Sequence, residues 1–397
     1  MSTIATRNTA SLASALLQKV LRGMAAAALF SICAGILALA MTRGSAANRD
    51  FVSYWAASQR LVHHSDPYSS AAVFSLEKSA GWSADRALLM RNPPYGLFLT
   101  IPLGFVSEKT GAVLWSLLVL ASLMLSIRIL RGIQGDPQNR LHLIGYLFAP
   151  SLACLLAGQI SAFALLSLTL FLCFHRTQPW LAGAGLLFCA LKPHIFLPFG
   201  TVLISWMLVQ KAYRVLAGAA LAFGVSCVVP LLFDPSVYSH YVLMARTSGV
   251  ETEFVPTLSE IFRIAINASV AWLQFIPAVM GCLWALWYFR QHRDHWDWQR
   301  HGALLMLVSL LVAPYAWFTD EAVLLPAMFQ AIYAADASPR NRSMLWFGVV
   351  NAVALIEVVS GAHLDSPLYV WTSAAWLLWY LCFMRDSRSS AMLSAAV

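Results

Sequence analysis

Charged residues are scarce in this sequence of 397 residues. Asp, Glu, Lys and Arg make up 11% of it, whereas an average soluble domain carries roughly 25%. Hydrophobic residues reach 59%, which is more than a soluble core of this length needs. The repeated apolar runs, separated by short basic patches, therefore predict an all-α polytopic membrane protein.

Signals of soluble enzymes and redox or zinc domains are also missing. The chain has no Walker loop, no dinucleotide fingerprint and no His-Glu-x-x-His motif. Its 7 cysteines lie in or beside apolar runs without a Cys-x-x-Cys pair, so neither a zinc site nor a disulfide framework is supported. The net charge of +8 comes from short loops, where cytoplasmic retention of Lys and Arg explains it. We therefore expect a membrane partner and no nucleic acid.

The basic loops also predict the topology. Residues 1–23 read as a cytoplasmic tail and 24–397 as one transmembrane domain with about 12 (10–13) helices and both termini inside. The run at 24–42 is long for a signal peptide, so a retained first helix is favoured. It leads to a first external loop at 43–109, the longest polar interval of the chain.

Two segments of this loop predict helices that do not cross the membrane. Residues 50–63 have helical apolar spacing, which favours an interfacial helix with its aromatic residues at headgroup level. The apolar stretch at 95–106 is short enough to be re-entrant or interfacial. Later helices are expected at about 110–130, 141–157, 160–174, 180–191, 195–210, 215–233, 270–289, 302–314, 322–335, 344–360 and 368–384.

Polar residues gather on the non-cytoplasmic face of this topology. Ionisable groups at membrane depth are costly and by default functional, so their convergence indicates one site. The residues are Asp50, Asp66, Arg91, Gln159, Lys192, His194, Asp320 and Glu321.

Asp50 is the candidate catalytic residue. A carboxylate among aromatic residues is partly desolvated, and a general base for a hydroxyl needs such an environment. The alternative is an ordinary loop aspartate paired with Arg49 or Arg60.

Lys192-Pro193-His194 interrupts an apolar hairpin. The lysine either snorkels to the interface or, with His194 and Arg91, holds a phosphate group. Gln159 either caps a hairpin or bonds a sugar hydroxyl.

Asp320-Glu321 allows three interpretations: a metal site, a solvated turn, or a helix start where acids favour the dipole. Substrate contact by Asp320 is favoured over metal, and a divalent metal is compatible with the chemistry but not required. No cofactor is expected. His292, His295 and His301 lie in a basic segment that reads as a solvated cytoplasmic loop.

Taken in order, these motifs resemble glycosyltransferase family 87, a group of bacterial integral-membrane enzymes of the GT-C class. The resemblance runs from about residue 45 to 335, and each motif alone is weak. Members often carry histidine after the proline where this chain has Tyr315. The motifs are Asp50…Tyr54-Trp55, Asp66-Pro67-Tyr68, Asn92-Pro93-Pro94, Gly158-Gln159, Leu191-Lys192-Pro193 and Ala313-Pro314…Asp320.

The resemblance implies a GT-C-type helical bundle in the bacterial inner membrane, with its catalytic loops on the extracytoplasmic face. It also implies a polyprenyl-phosphate sugar donor, often carrying mannose, a lipid or glycan acceptor, and inversion at the anomeric carbon. Asp50 would be the base, and Lys192 a donor-phosphate contact beside His194 and Arg91. The expected substrate contacts are Tyr54, Asp66, Tyr68, Asn92, Gln159 and Asp320.

Three other functions stay open. A transporter or flippase for a lipid-linked or polar solute predicts polar residues at mid-bilayer and repeat-related broken helices. A polymerase or ligase of surface glycans usually has its key loop late in the chain, unlike Asp50. A membrane scaffold without catalysis remains if Asp50 and Lys192 are structural.

Overall fold

The computed structural model of the protein describes residues 50–247, 254–334, 337–359 and 366–395. The predicted tail at 1–23, the first helix at 24–42 and the start of the external loop lie outside the described residues. The described chain is helical throughout, without a β-strand. The α-helices are α1 Phe51–Val62, α2 Ser70–Ser79, α3 Pro94–Thr100, α4 Glu108–Ile133, α5 Ile144–Leu147, α6 Ala149–Ala157, α7 Ser161–Phe174, α8 Pro179–Gly185, α9 Leu197–Val209, α10 Tyr213–Val228, α11 Val237–Thr247, α12 Leu258–Asn267, α13 Ile276–His292, α14 Trp298–Leu311, α15 Leu325–Ala334, α16 Ala337–Val359 and α17 Thr372–Ala395.

Short 3₁₀ helices extend or connect many of these elements. They keep the chain helical where proline or a tight turn prevents the α-helical hydrogen-bond pattern. Their bounds are Ile101–Phe105, Leu141–Leu143, Leu186–Leu191, Pro193–Phe196, Val229–Leu232, Ala271–Phe275, Arg293–His295, Phe318–Leu324 and Pro367–Tyr369.

Four helical segments of the described chain are long and apolar enough to cross a membrane. They are Glu108–Ile133, Tyr213–Leu232, Ala271–His295 and Pro367–Met384. A fifth forms if Pro179–Leu191 and Pro193–Val209, which meet at 119°, count as one broken span. The protein is thus a multi-pass membrane protein, and the count of about twelve spans stays a prediction.

Two predicted hairpins are present, built from shorter helices than a full span requires. α6 and α7 meet at Gly158-Gln159, and the bent pair meets at Lys192. Between the predicted helices at 215–233 and 270–289 the structure has two further helices, α11 and α12, which the sequence pattern did not indicate.

The aromatic side chains of α1 are buried by protein, whereas the predicted interfacial helix would expose them to lipid headgroups. Phe51, Tyr54 and Trp55 are 0%, 5% and 7% exposed. Trp55 Nε1 donates to the Val106 carbonyl at 3.1 Å, so the short apolar stretch before α4 covers the helix. The hydrophobic residues of α1 therefore pack inward, because α3 and α4 offer them an apolar surface.

Helix α7 lies at the centre of the molecule. It is apolar on all sides, as expected of a helix enclosed by others. It packs against α4, α8, the Leu186–Leu191 turn and the Phe318–Leu324 turn. Ser161 at its start and Phe174 at its end thus belong to opposite ends of one buried helix.

Helices α8 and α10 cross in direct backbone contact. A Cβ on Gly183 would lie 2.0 Å from the Val215 carbonyl oxygen, and one on Gly218 would lie 2.4 Å from the Trp180 oxygen. Small residues allow such approach in membrane proteins, where packing drives helix association.

Candidate active site

Asp50 lies directly before α1 and is tied to the end of α6. Its backbone N–H donates to the Ala157 carbonyl at 3.1 Å. Ser53 Oγ donates to the Asp50 carbonyl at 2.8 Å, which supports the first turn of α1. The side chain is half-buried, so its carboxylate stays within reach of a ligand.

Gly158 sets the direction of the next residue. It ends α6 with φ 70°, a left-handed conformation that glycine adopts without a Cβ clash. Its carbonyl accepts a 2.7 Å hydrogen bond from Trp115 Nε1, which anchors the turn to α4. Gln159 follows at once and extends its side chain toward Asp50.

The Gln159 amide links a carboxylate to a cation. Its Nε2 donates to Asp50 Oδ2, and its Oε1 accepts from Lys192 Nζ at 3.0 Å. Tyr54 Oη also donates to Oε1, at 3.4 Å. Because a lysine only donates and an ionised carboxylate only accepts, the amide orientation is determined by its two charged neighbours.

Lys192 occupies the tip of the bent helix pair and is buried, with 6% exposure. Its Nζ donates to Asp320 Oδ1 at 2.6 Å and lies 5.7 Å from the centre of the Trp317 ring. The lysine therefore does not snorkel to the surface. It points inward to a carboxylate, an amide and an aromatic face.

Asp320 is fully buried, so it does not lie in a solvated turn. Ser161 Oγ donates to Oδ1 at 2.5 Å, and the Trp317 backbone N–H donates to Oδ2 at 3.0 Å. These bonds, with Lys192, satisfy a carboxylate that would be costly to bury alone. Asp320 also stands at the start of the Phe318–Leu324 turn, as the helix-start interpretation expected.

These contacts join residues from four parts of the chain into one polar cluster. We call Asp50, Gln159, Lys192 and Asp320 the charged cluster. Its base candidate and its cation are separated by one amide side chain.

Other predicted residues surround Lys192. Asn92 Nδ2 donates to the Leu191 carbonyl at 2.8 Å, and Tyr68 Oη donates to the Asn92 carbonyl at 3.0 Å. Arg91, half-buried, is the neighbour of Asn92 in the chain. The motif around residue 92 thus holds the backbone just before Lys192.

His194 lies two residues beyond Lys192 with its ring against Tyr315, 6.1 Å between centres. Its Nε2 is buried and has no hydrogen-bond partner in the described part of the chain. An imidazole nitrogen in that situation is a group that a ligand could satisfy.

One known protein family matches the chain. The family model of glycosyltransferase family 87 matches residues 91–314, more than half of the sequence. The chain belongs to glycosyltransferase family 87. No curated protein and no solved structure matches it.

The family assignment makes the chain a membrane glycosyltransferase. The matched residues of this family 87 chain include Arg91, Asn92, Gln159, Lys192 and His194. Asp50 and Asp320 lie outside the match, which is shorter than the resemblance from about 45 to 335. The two carboxylates are connected to the family region by their contacts with Gln159 and Lys192.

Two predicted carboxylates of the family 87 chain lie outside the charged cluster. Asp66 accepts from the Tyr68 backbone N–H at 2.8 Å and lies 3.6 Å from His240, which bonds Asp234 at 2.8 Å. Glu321 accepts from Thr372 Oγ1 at 2.5 Å and from Trp376 Nε1 at 2.9 Å. Asp66 therefore orders its own turn and Glu321 anchors α17.

Sequence reasoning missed Ser161 and Trp317, which complete the shell of Asp320. The position of Ser161 two residues after Gln159, at the start of an apolar helix, was the available signal. Nothing in the sequence around Trp317 indicates that its backbone N–H donates a hydrogen bond to Asp320. Within the described ranges, no three His, Cys, Asp or Glu side chains gather in a way that could hold a metal ion.

Proposed function

We propose that this enzyme transfers a sugar, a hexose such as mannose, from a polyprenyl-phosphate carrier to a hydroxyl of a lipid or glycan acceptor. The reaction takes place at the extracytoplasmic face of the bacterial inner membrane and inverts the anomeric carbon. The observation that carries the proposal is the charged cluster, in which a half-buried carboxylate and a buried cation share one amide.

The proposed step is a single displacement. The acceptor oxygen attacks the anomeric carbon and forms the new glycosidic bond while the bond from that carbon to the phosphate oxygen breaks. The acceptor proton passes to Asp50, and the electron pair of the broken bond leaves with the polyprenyl phosphate. A positioned base of this kind contributes roughly 10²–10⁴ in rate.

Lys192 stabilises the departing phosphate in this proposal. Two of its N–H donors bond Asp320 and Gln159, which leaves a third to donate to a phosphate oxygen. His194 and Arg91 are the further phosphate contacts. The buried, unpartnered Nε2 of His194 supports this assignment, because a bound phosphate would supply a hydrogen-bond partner. Charge that develops on the leaving group is stabilised most where donors are held in place beforehand.

Asp320 acts through Lys192 and not on the sugar. Its buried carboxylate pairs with the ammonium of Lys192 at 2.6 Å and holds it beside Gln159. Gln159, Tyr54, Asn92 and Tyr68 are proposed to contact substrate or to hold the groups that do. The Oε1 contacts of Gln159 with Lys192 and Tyr54 make it the spacer between base and cation.

The deciding experiment uses purified protein in proteoliposomes with radiolabelled polyprenyl-phosphate mannose and a panel of lipid and glycan acceptors. Nucleotide sugars are supplied in parallel, and Asp50→Asn serves as the matched inactive control. Labelled product from the lipid donor alone supports the proposal. Product from a nucleotide sugar alone contradicts the donor class, and movement of the lipid donor across the bilayer without product supports a flippase.

A further inference from the structure

A basic and aromatic pocket of about 560 Å³ lies at the other end of the bundle from the charged cluster. It is assembled from residues 175–179, 206–215 and 293–298, which three separate connections contribute. α7 begins at Ser161, which donates a hydrogen bond to Asp320, and ends at Phe174, beside the pocket. At 1.5 Å per residue this helix separates the two regions by roughly 20 Å.

Two further helices connect the same two regions. α9 begins five residues after Lys192 and ends one residue before Gln210, which lines the pocket. α14 begins at Trp298 in the pocket and leads to the Trp317 turn of the cluster. Because the positive-inside rule predicts residues 175–176, 211–214 and 290–301 on the cytoplasmic side, the pocket lies at the cytoplasmic membrane surface.

The pocket lining is strongly basic. Four cationic side chains contribute to it, and the accompanying carboxylate is Asp294. Arg293 contacts Asp294 and Arg176 contacts Asp297, each at 3.6 Å between exposed side chains, and contacts of this kind neutralise little charge. Lys211 and Arg214 form no ion pair within the described residues. The four cations are Arg176, Lys211, Arg214 and Arg293.

Buried indoles add a second, independent feature. Trp296 and Trp298 line the pocket, with ring centres 5.3 Å apart, and are 9% and 1% exposed. Neither indole Nε1 has a hydrogen-bond partner in the described part of the chain. Both Nε1 atoms are themselves buried, so the two rings form an aromatic wall of the pocket and offer it no exposed donor.

The neighbouring surface is apolar. Exposed side chains border the pocket on α8, α9 and α10, including Trp180, Val209 and Tyr213 at 53%, 55% and 57% exposure. A site for a soluble phosphate compound does not need such a border. Acyl chains of a lipid whose headgroup entered the pocket would cover it.

We propose that this pocket binds the phosphate headgroup of an anionic phospholipid from the cytoplasmic leaflet. Arg and Lys side chains bond phosphate oxygens, and basic pockets between membrane helices on the cytoplasmic side recognise anionic headgroups. The apolar border matches the acyl chains of such a lipid. This site is distinct from the donor site, since the two lie at opposite ends of α7.

The test measures thermal unfolding of the full chain in neutral detergent during titration with phosphatidylglycerol. Phosphatidylcholine and inorganic phosphate are titrated separately. We expect phosphatidylglycerol to raise the unfolding temperature and the other two to leave it unchanged. Arg214→Gln combined with Arg293→Gln should raise the lipid concentration at half-effect about thirtyfold, at roughly a kcal/mol of membrane attraction for each of the two cations.

The matched control is Arg140→Gln, an exposed arginine on the same predicted side and outside the pocket. It should titrate like the wild type, and all variants should unfold at the same temperature without lipid. If the double variant is unstable, Arg214→Gln alone provides the comparison, with a smaller expected change. Identical titrations for the pocket and control variants overturn the proposal. A stabilisation by inorganic phosphate that the pocket variants abolish assigns the site to a soluble phosphate compound instead.

Discussion

At the scale of single residues, Gln159 and Asp320 hold in place the two groups that are proposed to take part in the reaction, Asp50 and Lys192. Gln159 bonds both Asp50 and Lys192, so neither charge is oriented independently of the other. Asp320 keeps Lys192 buried and paired. Substitutions at these positions therefore have separable effects on turnover and on stability.

Asp50→Asn should lower turnover by about 10²–10⁴, because the nearly isosteric amide cannot accept the acceptor proton. Donor affinity should change little, since the carboxylate serves the acceptor hydroxyl. Asp50→Glu should recover little, because a longer side chain misplaces the base by about an ångström. Initial rates against donor concentration check both parts. Near-normal turnover in Asp50→Asn, together with an inactive Asp66→Asn, would transfer the role of base to Asp66.

Asp320→Asn should destabilise the protein by about 3–5 kcal/mol, because it leaves the Lys192 ammonium buried without its partner. Asp136→Asn is the matched control, since its ion pairs with Arg128 and Arg131 lie at the surface, where a pair is worth about 0.2–1 kcal/mol. Chemical unfolding in detergent measures both.

The double variant Lys192→Met/Asp320→Leu tests whether Lys192 is needed for turnover when stability is preserved. Replacing a buried ion pair by apolar residues of similar size is often neutral or stabilising. We expect near-normal stability with turnover reduced by orders of magnitude, because the phosphate contact is gone. A stable double variant with wild-type turnover would remove Lys192 from the proposed mechanism.

At the scale of helical elements, turns and not helix faces bring the functional side chains together. Gln159 follows the end of α6, Lys192 is the tip of the bent pair and Asp320 is in a 3₁₀ turn. Each turn depends on a local feature, such as the left-handed glycine before Gln159. The helices supply rigid support for these turns.

Gly158→Ala should destabilise the fold by roughly 1–2 kcal/mol, because a residue with a Cβ is strained at φ 70°. It should also lower turnover, since Gln159 follows directly. Gly224→Ala is the control: it lies inside α10 with no atom within 4 Å of the added Cβ, and alanine favours a helix. Thermal unfolding and turnover are compared for both. Equal behaviour of the two variants would show that the turn tolerates a side chain.

α2 contains a buried carboxyl group with consequences for pH dependence. Burial raises the pKa of Glu77 to about 7, although its Oε2 accepts a hydrogen bond from the Leu88 backbone N–H at 3.0 Å. The folded protein thus holds this proton more tightly than the unfolded chain, whose carboxyl has a pKa near 4.5. Stability should therefore fall as pH rises from about 4.5 to 7 and then level off.

Glu77→Gln should abolish this part of the pH dependence, because the amide stays neutral throughout. Asp85→Asn, an exposed carboxyl in the same loop, should leave it unchanged. Unfolding temperatures measured at several pH values check the pair. An unchanged slope in Glu77→Gln would assign the dependence to another group.

At the scale of the whole molecule, α7, α9 and α14 hold two polar regions apart. The charged cluster lies at one end of these helices and the basic pocket at the other.

This arrangement predicts opposite labelling of two cysteines in intact cells, in a background without the native cysteines. Ser70→Cys, exposed in α2 close to Asp66, should react with a membrane-impermeant maleimide. Asp294→Cys, exposed beside the pocket, should react only after the membrane is opened. The reverse pattern would invert the topology and with it the assignment of both sites.

The class of the protein and the places where its helices break could be predicted from the sequence. Both depend on local properties, namely apolar run length, the distribution of Lys and Arg, and glycine or proline at turns. For the same reason Gln159, Lys192 and Asp320 stood out as polar residues within apolar surroundings. The bounds of α4 and α10 followed closely from their apolar runs.

Only the tertiary structure decided which of these residues meet. Asp320 is 128 residues from Lys192, and no periodicity encodes that contact. Burial of the α1 aromatics, exclusion of Asp66 from the cluster and burial of His301 beside the pocket likewise depend on neighbours supplied by distant helices. Local sequence shows that a polar group in a membrane needs a partner, because desolvation is costly, but the partner is selected by the packing of the helices.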